Sequence, residues 1–110
     1  MRSLQDRLEA FYGQFASLPC DVRHFTRQES FPYMVWQEHG EGDSLEVNNR
    51  KAEQVMEGTI DYFTKHEFDK TVDAIQEILD SADNIGWTLT SVMYEDETNL
   101  IHYSWDWELS

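Results

Sequence analysis

Near the start of the chain, hydrophobic residues recur at the spacing of a helix. Four of them are separated by four, three and four positions: Leu4, Leu8, Phe11 and Phe15. Polar residues fill most of the positions between them, so the four share one face of a helix. Ser3 can cap the start of this helix, and Pro19 cannot continue it. The pattern predicts a first helix over about residues 3–17.

The middle of the chain changes to the alternation of β-strands. Phe31-Pro32 fixes an extended entry, and the β-branched and aromatic residues that follow predict a strand over 33–39. From Gln54 onward a second alternating stretch predicts another strand, which ends near residue 63. The connection between the two strands, about residues 40–53, is glycine-containing and polar. We expect it to be a long flexible loop.

A capping box predicts the start of a second helix. Thr64 and Glu67 have the spacing at which each side chain bonds the other residue's backbone N–H. The residues behind this box form one apolar stripe: Phe68, Val72, Ile75, Ile78, Leu79 and Ala82. We therefore expect a second helix that ends near residue 82, with Phe68 at its first buried position.

The C-terminal part of the chain has the pattern of a β-hairpin, with strands over 87–94 and from Leu100, and a turn over 95–99. One side of the last strand is hydrophobic: Ile101, Tyr103, Trp105, Trp107 and Leu109. The other side is polar: His102, Ser104, Asp106 and Glu108. We expect the hydrophobic side to face the helices and the polar side to face water or a partner.

The order of these elements predicts an α+β fold. Two helices with one apolar stripe each need a surface to cover, and four strands supply it. We expect a four-stranded, mainly antiparallel sheet with both helices packed on one face. The chain has 110 residues, which is enough for one hydrophobic core and hence for a single domain over residues 1–110.

Charge narrows the classes of partner. The formal net charge is −14, from 22 acidic and 8 basic side chains. This balance argues against direct binding of nucleic acid or of an anionic membrane, since both rely on basic side chains. It is compatible with a protein that imitates DNA, with a surface past which DNA slides, or with a protein kept soluble by its charge.

Cysteine content and hydropathy indicate the compartment. Cys20 is the one cysteine in the chain, so no disulfide can form within it. The N-terminal residues lack the apolar stretch of a signal peptide, and no run approaches the ~20 apolar residues of a membrane span. We expect the protein to fold in a reducing cytosol.

The residues offer little sign of catalysis or of a bound cofactor. Asp106 and Glu108 lie about 7 Å apart by strand rise, a separation that a glycosidase can use, but solvated strand carboxylates are far commoner. Cys20 and His24 lack the third group of a nucleophilic site, and the histidines lack the clustered spacing of zinc ligands. Acidic residues around Gly40 disfavour a phosphate loop. The sequence therefore predicts no catalytic, cofactor-binding or metal residues.

Tryptophan is abundant for a domain of this size. The chain has four tryptophans, and one small sheet leaves little room for all of them in its core. Aromatic residues are enriched at protein interfaces. We take Trp36 and Trp107 as candidate subunit contacts.

Three stretches in order carry a family resemblance: "FPYMVWQEHGEGDSLEVNN", "EGTIDYFTKHEFDKTVDAIQEIL" and "LIHYSWDWEL". They combine a proline-led aromatic strand, an acidic loop with glycine, a strand ending in aromatic-Thr-Lys, a helix and an aromatic last strand. In this pattern the chain resembles the small tail-completion proteins of long-tailed bacteriophages and prophages, which include tail terminators and head-to-tail joining proteins.

The resemblance implies a non-enzymatic role without a cofactor. Such subunits form a ring, commonly a hexamer, that caps the tail tube and offers a surface to the head connector. The implied partners are further copies, the tail-tube protein and the head connector protein. The implied locations are the cytoplasm of the bacterial host during assembly and then the neck or tail of the virion.

A ring around a DNA passage would benefit from acidic loops that repel phosphates. Two groups of residues are candidates for its lumen or for partner contact: Glu41, Asp43 and Glu46, and Glu95, Asp96 and Glu97. One rival hypothesis is an acidic interaction or inhibitor protein that imitates DNA and binds a basic partner. Another is a small hydrolase that uses Asp106 and Glu108.

Overall fold

In the computed structural model, a five-stranded sheet carries two helices on one of its faces. The structure describes residues 3–27, 30–42, 45–47 and 50–110, with the side chains of 45–47 and 50–52 left out. The described elements in chain order are α1 (Leu4–Gly13), β1 (Asp21–His24), β2 (Tyr33–Glu41), β3 (Leu45–Val47), β4 (Arg50–Glu53), β5 (Met56–Thr64), α2 (Lys70–Ser81), β6 (Ile85–Glu95) and β7 (Leu100–Leu109).

The main sheet has the strand order β1-β2-β5-β7-β6. All neighbours are antiparallel except β1, which runs parallel to β2. The predicted α+β domain with two helices is confirmed, but the sheet has five strands and is mixed. The strand missed from the sequence is β1, whose four residues include only one hydrophobic side chain, the half-buried Val22. So short a strand has too little alternation to be recognised.

The predicted long loop at residues 40–53 is wrong for the described part of that span. β2 continues to Glu41, and β3 and β4 pair antiparallel as a separate two-stranded sheet. Backbone pairing gives the N–H and C=O groups of these short strands partners that a loop would have to find in water.

α1 begins as predicted and ends earlier. The Ser3 hydroxyl accepts a hydrogen bond from the Asp6 backbone N–H at 3.1 Å and caps the helix. The helix ends at Gly13 instead of near residue 17. Tight turns then carry the chain onward, and Phe15 and Leu18 stay buried on them. The apolar spacing therefore identified core residues beyond the true end of the helix.

α2 begins later than predicted, and the proposed capping box is wrong. Its N-cap is Asp69, whose carboxylate accepts from the Thr71 backbone N–H at 2.9 Å. Phe68 has a φ of 57° and is 83% exposed, so it is not the first buried position of the helix. Thr64 belongs to β5 instead and donates its hydroxyl to the same Asp69 carboxylate at 2.8 Å.

The core lies between the helices and the sheet. Trp36, Ile60 and Trp105 form one row across β2, β5 and β7, and all are buried. From α1, the Phe11 ring packs 5.7 Å from Trp36 and 4.8 Å from Trp107, measured between ring centroids. α2 adds two fully buried residues to the same cluster: Ile75 and Leu79. Both helices therefore cover the same face, here called the helix-bearing face; the opposite one is the outer face.

The prediction that Trp36 and Trp107 form a subunit contact is wrong. Each is only 1% exposed, and Trp105 is also buried. The core has room for these indoles because Gly58 presents no side chain to the Trp107 ring. Trp87 is half-buried and packs against the same cluster. Surfaces available for contact must therefore be sought among other residues.

Gly58→Ala should strongly destabilise the fold. An added Cβ would overlap the Gln37 backbone oxygen and lie 2.5 Å from Cζ2 of Trp107, so backbone or indole must move. We expect a loss of about 2 kcal/mol or more in the free energy of unfolding. Gly86→Ala is the matched control, since Gly86 also lies in a strand but nothing is within 4 Å of its added Cβ. Equal urea midpoints for the two variants would contradict this packing.

Candidate interaction surface

The first predicted acidic group is described only at Glu41. This residue ends β2, is exposed, and its carboxylate accepts a hydrogen bond from the Gln54 side chain at 2.7 Å. Asp43 lies outside the described residues, and so does the side chain of Glu46, whose backbone is part of β3. The placement of Glu41, Asp43 and Glu46 around a lumen stays a prediction.

The second predicted acidic group forms the tip of the β6–β7 hairpin. Glu95 ends β6, while Asp96 and Glu97 lie in the turn, and all three are exposed. Glu41 pairs with the first residue of β5, whereas the turn lies beyond the last one. These two positions are eight residues apart along β5, which corresponds to about 27 Å of strand. Within one chain, the sheet thus holds Glu41 and the hairpin turn at opposite ends.

β6 is an edge strand with an unusual surface. Four large hydrophobic residues within six positions are between 39% and 63% exposed: Leu89, Val92, Met93 and Tyr94. No residue from Ile85 to Tyr94 is charged, although 27% of the whole chain is. Edge strands are normally guarded by charged residues, proline or short length, and β6 has only a bulge between Leu89 and Ser91. We call residues 89–94 the β6 stem.

The β6 stem is exposed on both faces of the sheet. Val92 and Tyr94 point to the helix-bearing face, because their cross-strand partners are Tyr103 and Ile101 of its hydrophobic row. Met93 points to the outer face, opposite His102. The helices therefore leave this part of the sheet uncovered. In the sequence, the stem is marked by a run of ten uncharged residues from Ile85 to Tyr94, which does not reveal that the strand is exposed.

Aromatic and basic side chains collect at the opposite edge of the sheet, around β1 and the start of β2. The His24 ring is stacked between Phe25 and Trp36, with 3.9 Å between ring centroids on each side. Arg27 lies over Phe63 with its Cζ 5.7 Å from the ring centroid. We define the basic–aromatic patch by five exposed residues: Arg23, Phe25, Arg27, Phe31 and Lys65.

One contact lies within this patch, and another lies beside it on β1. Lys65 Nζ lies 5.6 Å from the centroid of the Phe31 ring, a cation–π distance. The Tyr12 hydroxyl donates to the Val22 backbone oxygen at 3.4 Å and covers part of the β1 edge. At this edge of the sheet, a partner would therefore meet exposed side chains more readily than unpaired backbone groups.

A serine, a histidine and an aspartate meet on the outer face, but not as a catalytic triad. Asp61 Oδ1 is 2.7 Å from His102 Nε2 and accepts from the Ser104 hydroxyl at 2.7 Å. Ser104 Oγ is 3.1 Å from the same His102 nitrogen. A triad needs one ring nitrogen for the nucleophile and the other for the carboxylate. This cluster instead links neighbouring strands by hydrogen bonds.

The candidate hydrolase pair, Asp106 and Glu108, lines a cleft of about 510 Å³ together with His39 and Glu57. Asp106 and Glu108 are exposed on the outer face, and Glu108 lies directly opposite Glu57 of β5. Like charges in that position repel. Among the described residues, no three histidine, cysteine or carboxylate side chains are placed to hold a metal ion.

A cleft of about 660 Å³ lies where α1 meets the C-terminal ends of α2 and β7. Arg7 lines it and is only 8% exposed. Its Nη1 donates to the Gln54 backbone oxygen at 2.7 Å, whereas Nε and Nη2 have no hydrogen-bond partner and no contact with solvent. Glu53 and Asp83 also line the cleft, so its walls carry more negative than positive charge.

Among the described residues, three ionisable groups whose pKa values depart from their ordinary values lie together near the start of α2. Partial burial alone would raise the pKa of Asp69, but hydrogen bonds from Tyr62, Thr71 and Thr64 outweigh it and lower that pKa. Burial, and then the hydrogen bond to Asp69, raises the pKa of Tyr62. Burial, with the nearby charges of Asp69 and Asp21, raises the pKa of Cys20 to about 11. The Asp69 carboxylate and the groups that bond it therefore form a partly buried polar cluster that stabilises the start of α2.

Comparisons with known proteins add no family assignment, since no family model and no curated protein matches the chain. Across the residues that the structure describes, no helix has the length and apolar character needed to cross a membrane.

Asp69→Asn should destabilise the protein at neutral pH and not in acid. The charged carboxylate is favoured in the folded state, so its contribution is present above its unfolded pKa near 3.8 and is lost as pH falls further. Asn caps a helix about as well as Asp, but its amide has one accepting oxygen where the Asp69 carboxylate uses two. We therefore expect a loss of about 1 kcal/mol at pH 7, shrinking below about pH 4. Asp80→Asn, exposed on the same helix, should change little. A penalty that persists unchanged in acid would contradict the charged cap.

Cys20 should react slowly in the folded protein. A pKa raised from 9.0 to about 11 lowers its thiolate fraction roughly a hundredfold at pH 8. Labelling by iodoacetamide at that pH should therefore be at least that much slower in buffer than in urea, and should accelerate as the pH approaches 11. Equal rates in buffer and urea would contradict the environment described for this thiol.

Proposed function

We propose that this chain is a non-enzymatic structural protein of a phage or prophage, which caps the tail tube and joins it to the head connector as a ring. The β6 stem is the observation that carries the proposal. It is a long sheet edge without charge, with four exposed hydrophobic side chains, in a protein of net charge −14. Isolated domains seldom leave such a surface in water, because it invites pairing with another chain.

The resemblance to tail-completion proteins supports one kind of assembly for this surface. A tail-completion subunit must contact its own copies, the tail-tube protein and the head connector protein. The proposed ring, like the hexamers common among such proteins, would assemble in the cytoplasm of the bacterial host and remain in the neck or tail of the virion. Its role is to bind and join, so it needs no cofactor.

The acidic charge has a physical role in such a ring. DNA that passes through the neck must not bind to its wall, and carboxylates repel phosphates. Glu41 and the turn Glu95–Glu97 lie at opposite ends of the sheet, so a channel along the strands would meet negative charge at both of its ends. This placement around a lumen is part of the proposal.

Light scattering and negative-stain imaging test the proposal directly. The purified chain is measured over a wide range of concentrations, alone and with tail tubes assembled from the tube protein of the same phage genome. We expect rings, or tubes of limited length with a cap at one end. Met93→Ser with Tyr94→Ser should reduce assembly, whereas Phe68→Ser should not, although Phe68 is the more exposed side chain at 83%.

A monomer that ignores the tubes would contradict the proposal. If that monomer also bound a basic protein, with an affinity that falls steeply as salt rises, the result would favour the acidic inhibitor instead. Assembly that is lost equally in the Phe68→Ser control would show that the β6 stem is not the contact that matters.

A further inference from the structure

We propose that the β6 stem of one copy docks on the basic–aromatic patch of a second copy, head to tail. The inference rests on the proposed ring and names the contact that would build it. The two surfaces lie on opposite edges of the same sheet, since β6 and β1 are its outermost strands. Repetition of a contact between unlike edges generates a ring or a filament instead of a closed pair.

The register of the sheet places both surfaces at the same height. One row from edge to edge consists of His24, Trp36, Ile60, Trp105 and Leu89. A second row, three residues nearer the hairpin turn, consists of Asp21, Tyr33, Phe63, His102 and Met93. β1 therefore lies level with the β6 stem. Edges at equal height allow a head-to-tail contact without displacement along the strands, and such a contact closes into a ring when its rotation divides a full turn.

The two surfaces are also chemically complementary. The stem offers uncharged aliphatic and aromatic side chains and ends in an acidic turn with three carboxylates, Glu95–Glu97. The patch offers exposed phenylalanines together with three of the five basic side chains that the structure describes. Apolar groups would meet apolar groups, and the turn would approach the cations. Most other surfaces of two copies repel, because each copy carries −14.

The contact is expected between side chains and not as a continued strand ladder. Tyr12 covers the Val22 backbone oxygen on the β1 edge, so backbone pairing there is partly blocked. The Asp21 carboxylate lies 3.9 Å from the Arg23 guanidinium and partly neutralises its charge. Arg27 and Lys65 are therefore the main cations that the turn would meet. Pairing of two β6 stems with each other would place the acidic turn beside a strand that has no basic residue.

Disulfide trapping between two differently tagged chains tests the contact. Both carry Cys20→Ala; one also carries Met93→Cys and the other Asp21→Cys, at exposed positions of the same row. They are mixed in equal amounts and oxidised under conditions in which scattering shows assembly. We expect the mixed disulfide to exceed severalfold both the Met93→Cys homodimer and the product with a Glu77→Cys control chain, which is exposed on α2.

Three other results of this experiment would each contradict the proposed contact, and each would do so for a different reason. Predominance of the Met93→Cys homodimer would show that two β6 stems pair about a two-fold axis. Rings without a mixed disulfide above the Glu77→Cys control would place the subunit contact elsewhere and leave the proposed function standing. Absence of any assembly in scattering, with or without tubes, would contradict both the contact and the proposed function.

Discussion

The fold depends on the close packing of Trp107 against β5 where Gly58 has no side chain. An added Cβ at that glycine would collide with the backbone of β2 and with the indole. With the glycine present, Trp107 lies on the sheet and receives Phe11 of α1, whose ring also contacts Trp36. This arrangement draws three indoles into the core, and it removes from the surface two side chains that the sequence suggested for subunit contact.

Burial of the tryptophans leaves other residues to make contacts. Apart from Tyr12 on α1, the exposed large hydrophobic residues of the described chain lie at the edges of the sheet and in turns, where the two helices do not cover it. On β6 they occur without any charged neighbour until Glu95. On the β1 side they occur among arginine and lysine. A chain whose net charge opposes self-association therefore has two unlike surfaces at which the repulsion is weakest. That combination is the physical basis for proposing an assembling structural protein.

Strong periodicity made part of this fold predictable. The α1 cap and the final hairpin follow from spacing and alternation alone, since Ser3 and the strand from Leu100 lie where the sequence places them. The four residues of β1 have no comparable pattern, because this strand is held by its backbone pairing with β2. The start of α2 was misjudged because Thr64 looks like a cap in sequence, while the fold uses it to support the Asp69 carboxylate. The β6 stem resembles a buried strand in sequence, and only the extent of the helices shows that it is exposed.

The central claim is that the β6 stem is covered in the assembled particle. A cryo-electron microscopy structure of the ring or of the capped tube at side-chain resolution tests it most directly. The account predicts that Val92, Met93 and Tyr94 of each copy lie against Phe25 and Arg27 of its neighbour. Rings in which the β6 stem faces solvent, while other surfaces hold the subunits together, would contradict it.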